Sequence, residues 1–233
     1  LDYSMLGSVS GSDYKDSDIV EISGVVFYAE NIKFHELLGR RVYAYVKDEN
    51  DKKNVVSFGT DENMDSFTVY KDEIDDSNSD LKTLYYTKNN KDKKKSIDVT
   101  KLVVNGERRY DISKDVLYSC DMINLYDGDN DGRLETAIAE KYDDYYVKSI
   151  YVTDKGITDA YTGNTFYFDS GKYDNIIFFR NGYKANFSNI TENSVVSIAK
   201  SSNDKFVKVI INEKSVSGTL VSEKSNKNEI RVD

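Results

Sequence analysis

The acidic loop from Asp127 to Glu135 is the part of the sequence whose residue types and spacing point most clearly to chemistry. It reads Asp-Gly-Asp-Asn-Asp-Gly-Arg-Leu-Glu, with carboxylates at every second position at Asp127, Asp129 and Asp131. Carboxylates spaced in this way can converge on one hard cation, and Ca²⁺ takes roughly six to eight oxygen ligands. The backbone carbonyl of Arg133 and the side chain of Glu135 would add two more. We therefore expect a calcium site formed by Asp127, Asp129, Asp131, Arg133 and Glu135.

The elements around this loop differ from those of an EF-hand. An EF-hand needs an acidic residue at its twelfth position and a helix on each side, whereas the twelfth residue here is Ile138. Residues 122–142 are patterned as two strands, which predicts a β-hairpin with the acidic loop at its tip. Gly132 suits a sharp turn after the third ligand. The expected affinity is on the order of 10⁻⁴ to 10⁻³ M, as in extracellular modules; the alternative interpretation is a solvated acidic turn.

The sequence contains few of the residues that commonly form catalytic pairs. His35 and Cys120 are the only residues of their kinds, and they are far apart in the chain, so nucleophile–base pairs are scarce. A glycosidase needs only two carboxylates, but Asp and Glu number 41 and no pair stands out. We therefore expect no catalytic residues, no organic cofactor and no enzymatic activity. A protein that cleaves wall polysaccharide is the alternative.

Composition limits the partners of this chain of 233 residues. Its formal net charge of −9 and pI of about 4.8 argue against nucleic acid as a partner, because phosphate binding needs a basic face. The basic run at residues 88–95 is expected to be a solvated loop. No apolar run reaches membrane-spanning length, so we expect no membrane insertion. Since the chain begins with Leu1, we expect a fragment or a processed product.

Short strand-like runs separated by turn signals predict a mainly β protein. We expect two or more small antiparallel β-barrel or sandwich modules in tandem, with residues 1–145 as the first and residues 146–233 as the second. The first module carries an insertion and the acidic hairpin. One short helix is expected at residues 31–38, where Asn31 can cap its start and Gly39 can end it.

Similar segments recur along the chain in the same order. Residues 101–106 and 176–182 both end in Asn-Gly, and each is followed by a short strand, a polar turn and a hairpin. The second hairpin, at residues 194–212, lacks the triplet of aspartates. Residues 147–153 resemble residues 216–222, and residues 9–11 are a weaker third copy. Matching order over several features favours a true repeat.

Several of these segments resemble a known family. The run Leu37-Leu38-Gly39-Arg40-Arg41-Val42-Tyr43-Ala44-Tyr45, the Asn105-Gly106 turn and the Asp127–Gly132 loop together resemble the β-rich, non-anchoring region of Gram-positive bacterial cell-surface proteins that carry S-layer homology domains. The resemblance implies an extracellular structural or interaction module at the cell surface. Its partners would be neighbouring copies, other surface proteins or cell-wall glycan. A structural protein of a phage virion is the alternative.

Tyrosine-rich stretches suggest one further role. Residues 142–146 and 161–167 contain five of the 19 tyrosines. An exposed tyrosine combines an apolar ring with a polar hydroxyl, so these residues would suit a carbohydrate- or protein-binding face. The alternative is that they pack across strands in the core.

Overall fold

The computed structural model describes residues 19–22, 25–28, 42–49, 52–61, 64–128, 131–169, 171–173, 175–212, 220–224 and 229–232. Strands make up 56% of the structure, which confirms the prediction of a mainly β protein. The predicted helix at residues 31–38 lies outside the described residues. One short α-helix, α1 (Lys114–Leu117), begins after Ser113, whose hydroxyl accepts a hydrogen bond from the backbone N–H of Val116.

The described part of the chain contains twenty strands. In chain order they are β1 (Ile19–Ile22), β2 (Val25–Tyr28), β3 (Val42–Glu49), β4 (Lys52–Thr60), β5 (Ser66–Tyr70), β6 (Thr83–Lys88), β7 (Lys91–Ser96), β8 (Lys101–Val104), β9 (Glu107–Arg109), β10 (Met122–Tyr126), β11 (Thr136–Glu140), β12 (Asp143–Tyr151), β13 (Gly156–Asp159), β14 (Thr165–Tyr167), β15 (Asn175–Arg180), β16 (Tyr183–Ala185), β17 (Val195–Lys200), β18 (Phe206–Asn212), β19 (Leu220–Lys224) and β20 (Glu229–Val232). Short 3₁₀ turns lie at Lys71–Glu73 and Phe187–Asn189.

These strands form open sheets. The orders are β1-β2-β4-β3, β5-β10-β11-β8-β9 and β14-β13-β12-β17-β18-β15-β16, with two separate ribbons, β6-β7 and β19-β20. Each order runs from one edge strand to another, so none of the sheets within the described ranges closes into a barrel. Residues 88–95, expected to be a loop, instead include β7 and its two-residue turn from β6. That expectation was wrong, because a row of lysines gives no hydrophobic alternation from which to recognise a strand.

The same five-strand arrangement occurs twice. The order β5-β10-β11-β8-β9 in one sheet corresponds to β12-β17-β18-β15-β16 in the next. In each, the second of the five strands in chain order runs parallel to the last, β8 beside β11 and β15 beside β18. The similar segments 101–106 and 176–182 fall on the equivalent strands β8 and β15 and the turns that follow them. We call these arrangements unit 1 (residues 66–140) and unit 2 (residues 143–212).

Each unit buries its own group of apolar side chains. In unit 1, alternate residues of β10, Ile123 and Leu125, point inward and are about 1% exposed, as expected for a sheet with one buried face. In unit 2, Val196 and Ile198 of β17 do the same. Two separate cores thus follow one another in the chain, while the predicted division between residues 145 and 146 stays a prediction.

A turn of unit 1 is bound to unit 2. The Asn105 amide nitrogen donates to the backbone carbonyls of Lys141 (3.0 Å) and Lys200 (2.9 Å), and its oxygen accepts from the backbone N–H of Lys141 (2.8 Å). Glu107 accepts from the backbone N–H and the hydroxyl of Ser202, at 2.8 and 2.6 Å. The turn between β8 and β9 is therefore fixed to the tip between β17 and β18.

An ion pair joins the two sheets beside this turn. The Lys208 Nζ atom lies 2.6 Å from Oε1 and 2.8 Å from Oε2 of Glu140. The Glu140 side chain is 15% exposed and the Lys208 side chain 21%, so little water screens the pair. The hydroxyl of Tyr142 also donates to Glu140. The cluster links β11 of unit 1 to β18 of unit 2.

Candidate functional site

The acidic loop lies at the tip of a hairpin, as predicted. β10 and β11 pair antiparallel, and Tyr126 opposite Thr136 is the last pair before the loop. β10 also pairs with β5 on its other side, and β11 with β8. The base of the loop is thus held within the centre of a five-stranded sheet.

Asp127 is fixed at the start of the loop by hydrogen bonds from the backbone. It is only 2% exposed, and its carboxylate accepts hydrogen bonds from backbone N–H groups later in the same loop. Oδ1 accepts from the backbone N–H of Asp131 at 3.2 Å, and Oδ2 accepts from that of Gly132 at 2.8 Å. These bonds hold the buried carboxylate at the base of the loop, where its oxygens face the chain that forms the tip.

The side chain of Glu135, at the end of the loop, reaches back to the start of the loop beside Asp127. Its Oε1 accepts from the backbone N–H of Gly128 at 2.8 Å and from the Thr136 hydroxyl at 3.3 Å. Its Oε2 atom is buried and has no hydrogen-bond partner within the described structure. Buried polar atoms are nearly always paired, so a cation held by this loop would satisfy an oxygen that the described residues leave without a partner.

Of the remaining predicted ligands, the structure describes Asp131 and Arg133 but not Asp129. Asp131 is exposed, and its Oδ1 accepts from the backbone N–H of Arg133 at 2.9 Å. The Arg133 guanidinium lies 3.8 Å from both Asp131 and Asp98. Asp129 lies outside the described residues. Within the described ranges no group of three or more acidic, histidine or cysteine residues is placed to hold a metal, and the five-residue site, which includes Asp129, stays a prediction.

The corresponding hairpin tip of unit 2 has its own positive charge. The Lys200 Nζ atom lies 2.6 Å from Oδ1 of Asp204, and Lys172 Nζ lies 3.4 Å from its Oδ2. The hydrogen bond from Lys200 lowers the pKa of the Asp204 carboxyl. Ser201, which is fully buried, accepts from the backbone N–H of Phe206 at 2.9 Å and closes the turn. Two equivalent tips thus differ in how their carboxylates are compensated.

Some of the tyrosines pack in the core of unit 2, and others are exposed on the opposite face of its sheet. Tyr145 contacts Phe166 edge-on, with ring centroids 6.1 Å apart, and belongs to the core of unit 2. Tyr151 and Tyr167 lie on the other face of the sheet, 43% and 49% exposed, with centroids 6.4 Å apart. Gly156 lies between them in the pairing of β12, β13 and β14. Sequence reasoning identified Tyr167 but missed Tyr151, which is adjacent only through the sheet.

Cys120 does not have the environment of a nucleophile. It is a free cysteine, 1% exposed, and burial raises the pKa of its thiol. A raised pKa reduces the thiolate fraction on which reactivity depends. The other half of the conceivable dyad, His35, lies outside the described residues.

No family model, curated protein or solved structure matches the chain. The resemblance to Gram-positive surface proteins therefore stays a prediction based on the residues quoted above. Among the described helices, none has the length and apolar character to cross a lipid bilayer.

Proposed function

We propose that this chain is a non-catalytic, calcium-stabilised structural module of an extracellular assembly, on the surface of a Gram-positive bacterium. The observation that carries the proposal is the occurrence of the same five-strand arrangement twice along the chain. Repetition of one unit suits building by stacking, because each unit contacts its neighbour in the same way. We further propose that the units pack face to face as small β-sandwiches.

The proposed calcium ion would complete the tip of unit 1. Asp127, Asp129, Asp131, the carbonyl of Arg133 and Glu135 would hold it. The buried Glu135 Oε2 atom, which has no hydrogen-bond partner among the described residues, supports this assignment, as does the burial of the Asp127 carboxylate beside it. In unit 2, the ammonium group of Lys200 lies 2.6 Å from Asp204. In unit 1, the Arg133 guanidinium lies 3.8 Å from Asp131, and a bound cation would compensate the carboxylates of Asp127 and Glu135.

The proposed partners are neighbouring copies or other surface proteins. Open sheets end in strands with unpaired backbone groups, which are natural sites for strand addition by another chain. The edge strands of the two main sheets are β5, β9, β14 and β16. A phage virion is the alternative setting, since the same architecture would serve there.

Two measurements on the purified protein test this function. The protein is incubated with wall glycans and peptides, and products are followed by mass spectrometry, while electron microscopy records ordered arrays with and without calcium. We expect arrays or filaments and no products. Turnover on the order of 1 s⁻¹ or faster would refute a structural role, because that is an enzymatic rate.

The exposed Tyr151–Tyr167 face favours a second candidate function, glycan binding. Thr158 and Thr165 lie beside the two rings, with hydroxyl oxygens 2.9 Å apart. Rings that stack on a sugar and hydroxyls that bond to it are the features of a carbohydrate site. Replacing both tyrosines by alanine should abolish binding to wall glycan on an array. Tyr183→Ala, at a side chain 78% exposed, is the matched control and should retain it.

A further inference from the structure

The β6–β7 ribbon concentrates positive charge in an acidic protein. Residues 88–95 hold five lysines and one aspartate, whereas the whole chain has a net charge of −9. Lys88 and Lys91 lie directly opposite each other across a two-residue turn. Both turn residues, Asn89 and Asn90, have positive φ, 55° and 58°, as a type I′ hairpin turn requires. The lysines are thus carried by a regular hairpin rather than by an irregular loop.

The lysines of the ribbon lie on its two faces according to their position along the strands. Side chains alternate between faces, so Lys88, Lys91, Lys93 and Lys95 share one face of the ribbon. At the base, Lys95 is engaged, because its Nζ atom lies 3.6 Å from Asp65 and 5.8 Å from the ring centroid of Phe67. Lys88, Lys91 and Lys93, which we call the lysine tip, are exposed.

The lysine tip contributes nothing visible to the stability of the fold. Within the described part of the chain, its three ammonium groups take part in no salt bridge; the ion pair of this face is the one made by Lys95. Like charges directly opposite each other destabilise the pairing of two strands. Lys88 and Lys91 stand in this arrangement. Lysine can protect a sheet edge from aggregation, and the same exposed charges are free to meet an anion.

We propose that the lysine tip binds a flexible linear polyanion, a chain of phosphate groups without bases. Lysines at alternate positions of one strand lie about 7 Å apart, so a chain of anions can contact several of them together. The ring on this face, Tyr86, is half-buried and packs edge-on against Phe67 with centroids 5.0 Å apart, so it offers only part of its surface for stacking. Single-stranded nucleic acid binding relies on such stacking, which favours a polymer without bases. The inference rests on the proposed extracellular role for where such a polymer is encountered.

Binding is measured by fluorescence anisotropy with a labelled synthetic glycerol phosphate oligomer, in calcium-free buffer. The absence of calcium prevents metal bridging, so the result is independent of the proposed calcium site and of calcium-dependent assembly. Monomeric glycerol phosphate and an oligothymidylate of equal charge serve as competitors. The variant Lys88→Gln/Lys91→Gln/Lys93→Gln is compared with Lys82→Gln/Lys141→Gln/Lys148→Gln, which removes the same charge from exposed positions elsewhere.

We expect the tip variant to lose about tenfold or more in affinity, and the control variant to change by less than about twofold. With three to four contacts, raising salt from about 50 to 200 mM should weaken binding roughly 20- to 50-fold, by release of counterions. The tip variant should melt no lower than wild type, since it relieves like-charge repulsion.

Equal loss of affinity in the tip variant and the control variant would overturn the proposal. Competition by monomeric glycerol phosphate as effective as that by the oligomer would overturn it too. Stronger competition by oligothymidylate would assign the face to nucleic acid instead. If the protein self-associates and only the tip variant loses that self-association, the lysine tip binds a second copy of this chain instead.

Discussion

Gly106 of unit 1 lies directly against the ring of Phe206 in unit 2. A Cβ atom on Gly106 would stand 2.9 Å from Cδ1 and 3.2 Å from Cγ of that ring. Its backbone also has φ +77°, in the left-handed region that favours glycine. Gly182, in the equivalent turn of unit 2, has φ +80°, but no described atom lies within 4 Å of its Cβ position. The two glycines share a backbone requirement and differ only in what lies over them.

This difference predicts unequal effects of substitution. Gly182→Ala should cost about 1–2 kcal/mol in free energy of unfolding, the penalty of the left-handed backbone. Gly106→Ala should cost a further ~1–3 kcal/mol, because the methyl group forces the ring of Phe206 from its place. Chemical denaturation of both variants measures this. Equal losses would show that the turn does not pack on unit 2 as described.

The Glu140–Lys208 pair should couple the two units energetically. A double-mutant cycle with Glu140→Gln and Lys208→Met should give an interaction of about 1–2 kcal/mol, above the ~0–1 kcal/mol of surface pairs. The Lys172–Asp204 pair, separated by 3.4 Å with side chains 51% and 39% exposed, is the control. Its coupling should be smaller and should vanish in high salt. A Glu140–Lys208 coupling no larger than the control would mean that the pair is incidental to the junction.

Alkaline pH should destabilise unit 1 through Tyr118. Burial raises the pKa of Tyr118 from 10.0 to about 12, so the folded state keeps a proton that the unfolded chain releases. The stability due to this group is present below pH 10 and falls as pH rises from about 10 towards 12, by at most ~1.4 kcal/mol per pH unit. Tyr118→Phe should flatten the decline, although loss of the bond to the Asp80 carbonyl (2.7 Å) lowers stability at neutral pH. Tyr183→Phe, at an exposed side chain, should leave the profile unchanged; identical slopes in all three proteins would contradict the assignment.

Much of the local structure was predictable because its signals are local. Asn105-Gly106 predicted a tight turn, and both residues have positive φ, 49° and 77°. The hairpin around the acidic loop followed from strand patterning on both sides of a polar tip. Within the candidate site, the type of ligand could be predicted, but the burial of Asp127 and the unpaired oxygen of Glu135 depend on the fold around them.

The features that were missed depend on distant parts of the chain. The parallel pairing of β8 with β11 joins strands that are separated in the sequence by β9, α1 and β10, and no short window of sequence records it. The helix α1 has four residues, too few to show a helical period. Its signal was the cap at Ser113, within a segment interpreted only as a polar turn. The strand β7 was missed because its lysines conceal the alternation of a strand.

Calcium should stabilise the protein through the acidic tip. At about 10 mM calcium and an affinity of 10⁻⁴ to 10⁻³ M, the free energy of unfolding should rise by roughly 1.4–2.7 kcal/mol, with a higher Tm. Asp129→Ala/Asp131→Ala and Glu135→Gln should each remove the calcium-dependent shift. Asp204→Ala alters the equivalent tip of unit 2 and should retain it. An unchanged Tm of the wild-type protein in calcium would identify the loop as a polar turn.

We have proposed that this chain assembles through repeated β units with the help of calcium. Sedimentation velocity over a range of protein concentrations, in calcium and in chelator, measures that assembly in solution. We expect species that grow with protein concentration in calcium and shrink in chelator, with growth reduced in the Asp129→Ala/Asp131→Ala variant. A single monomeric boundary at every concentration, unchanged by calcium, would contradict it.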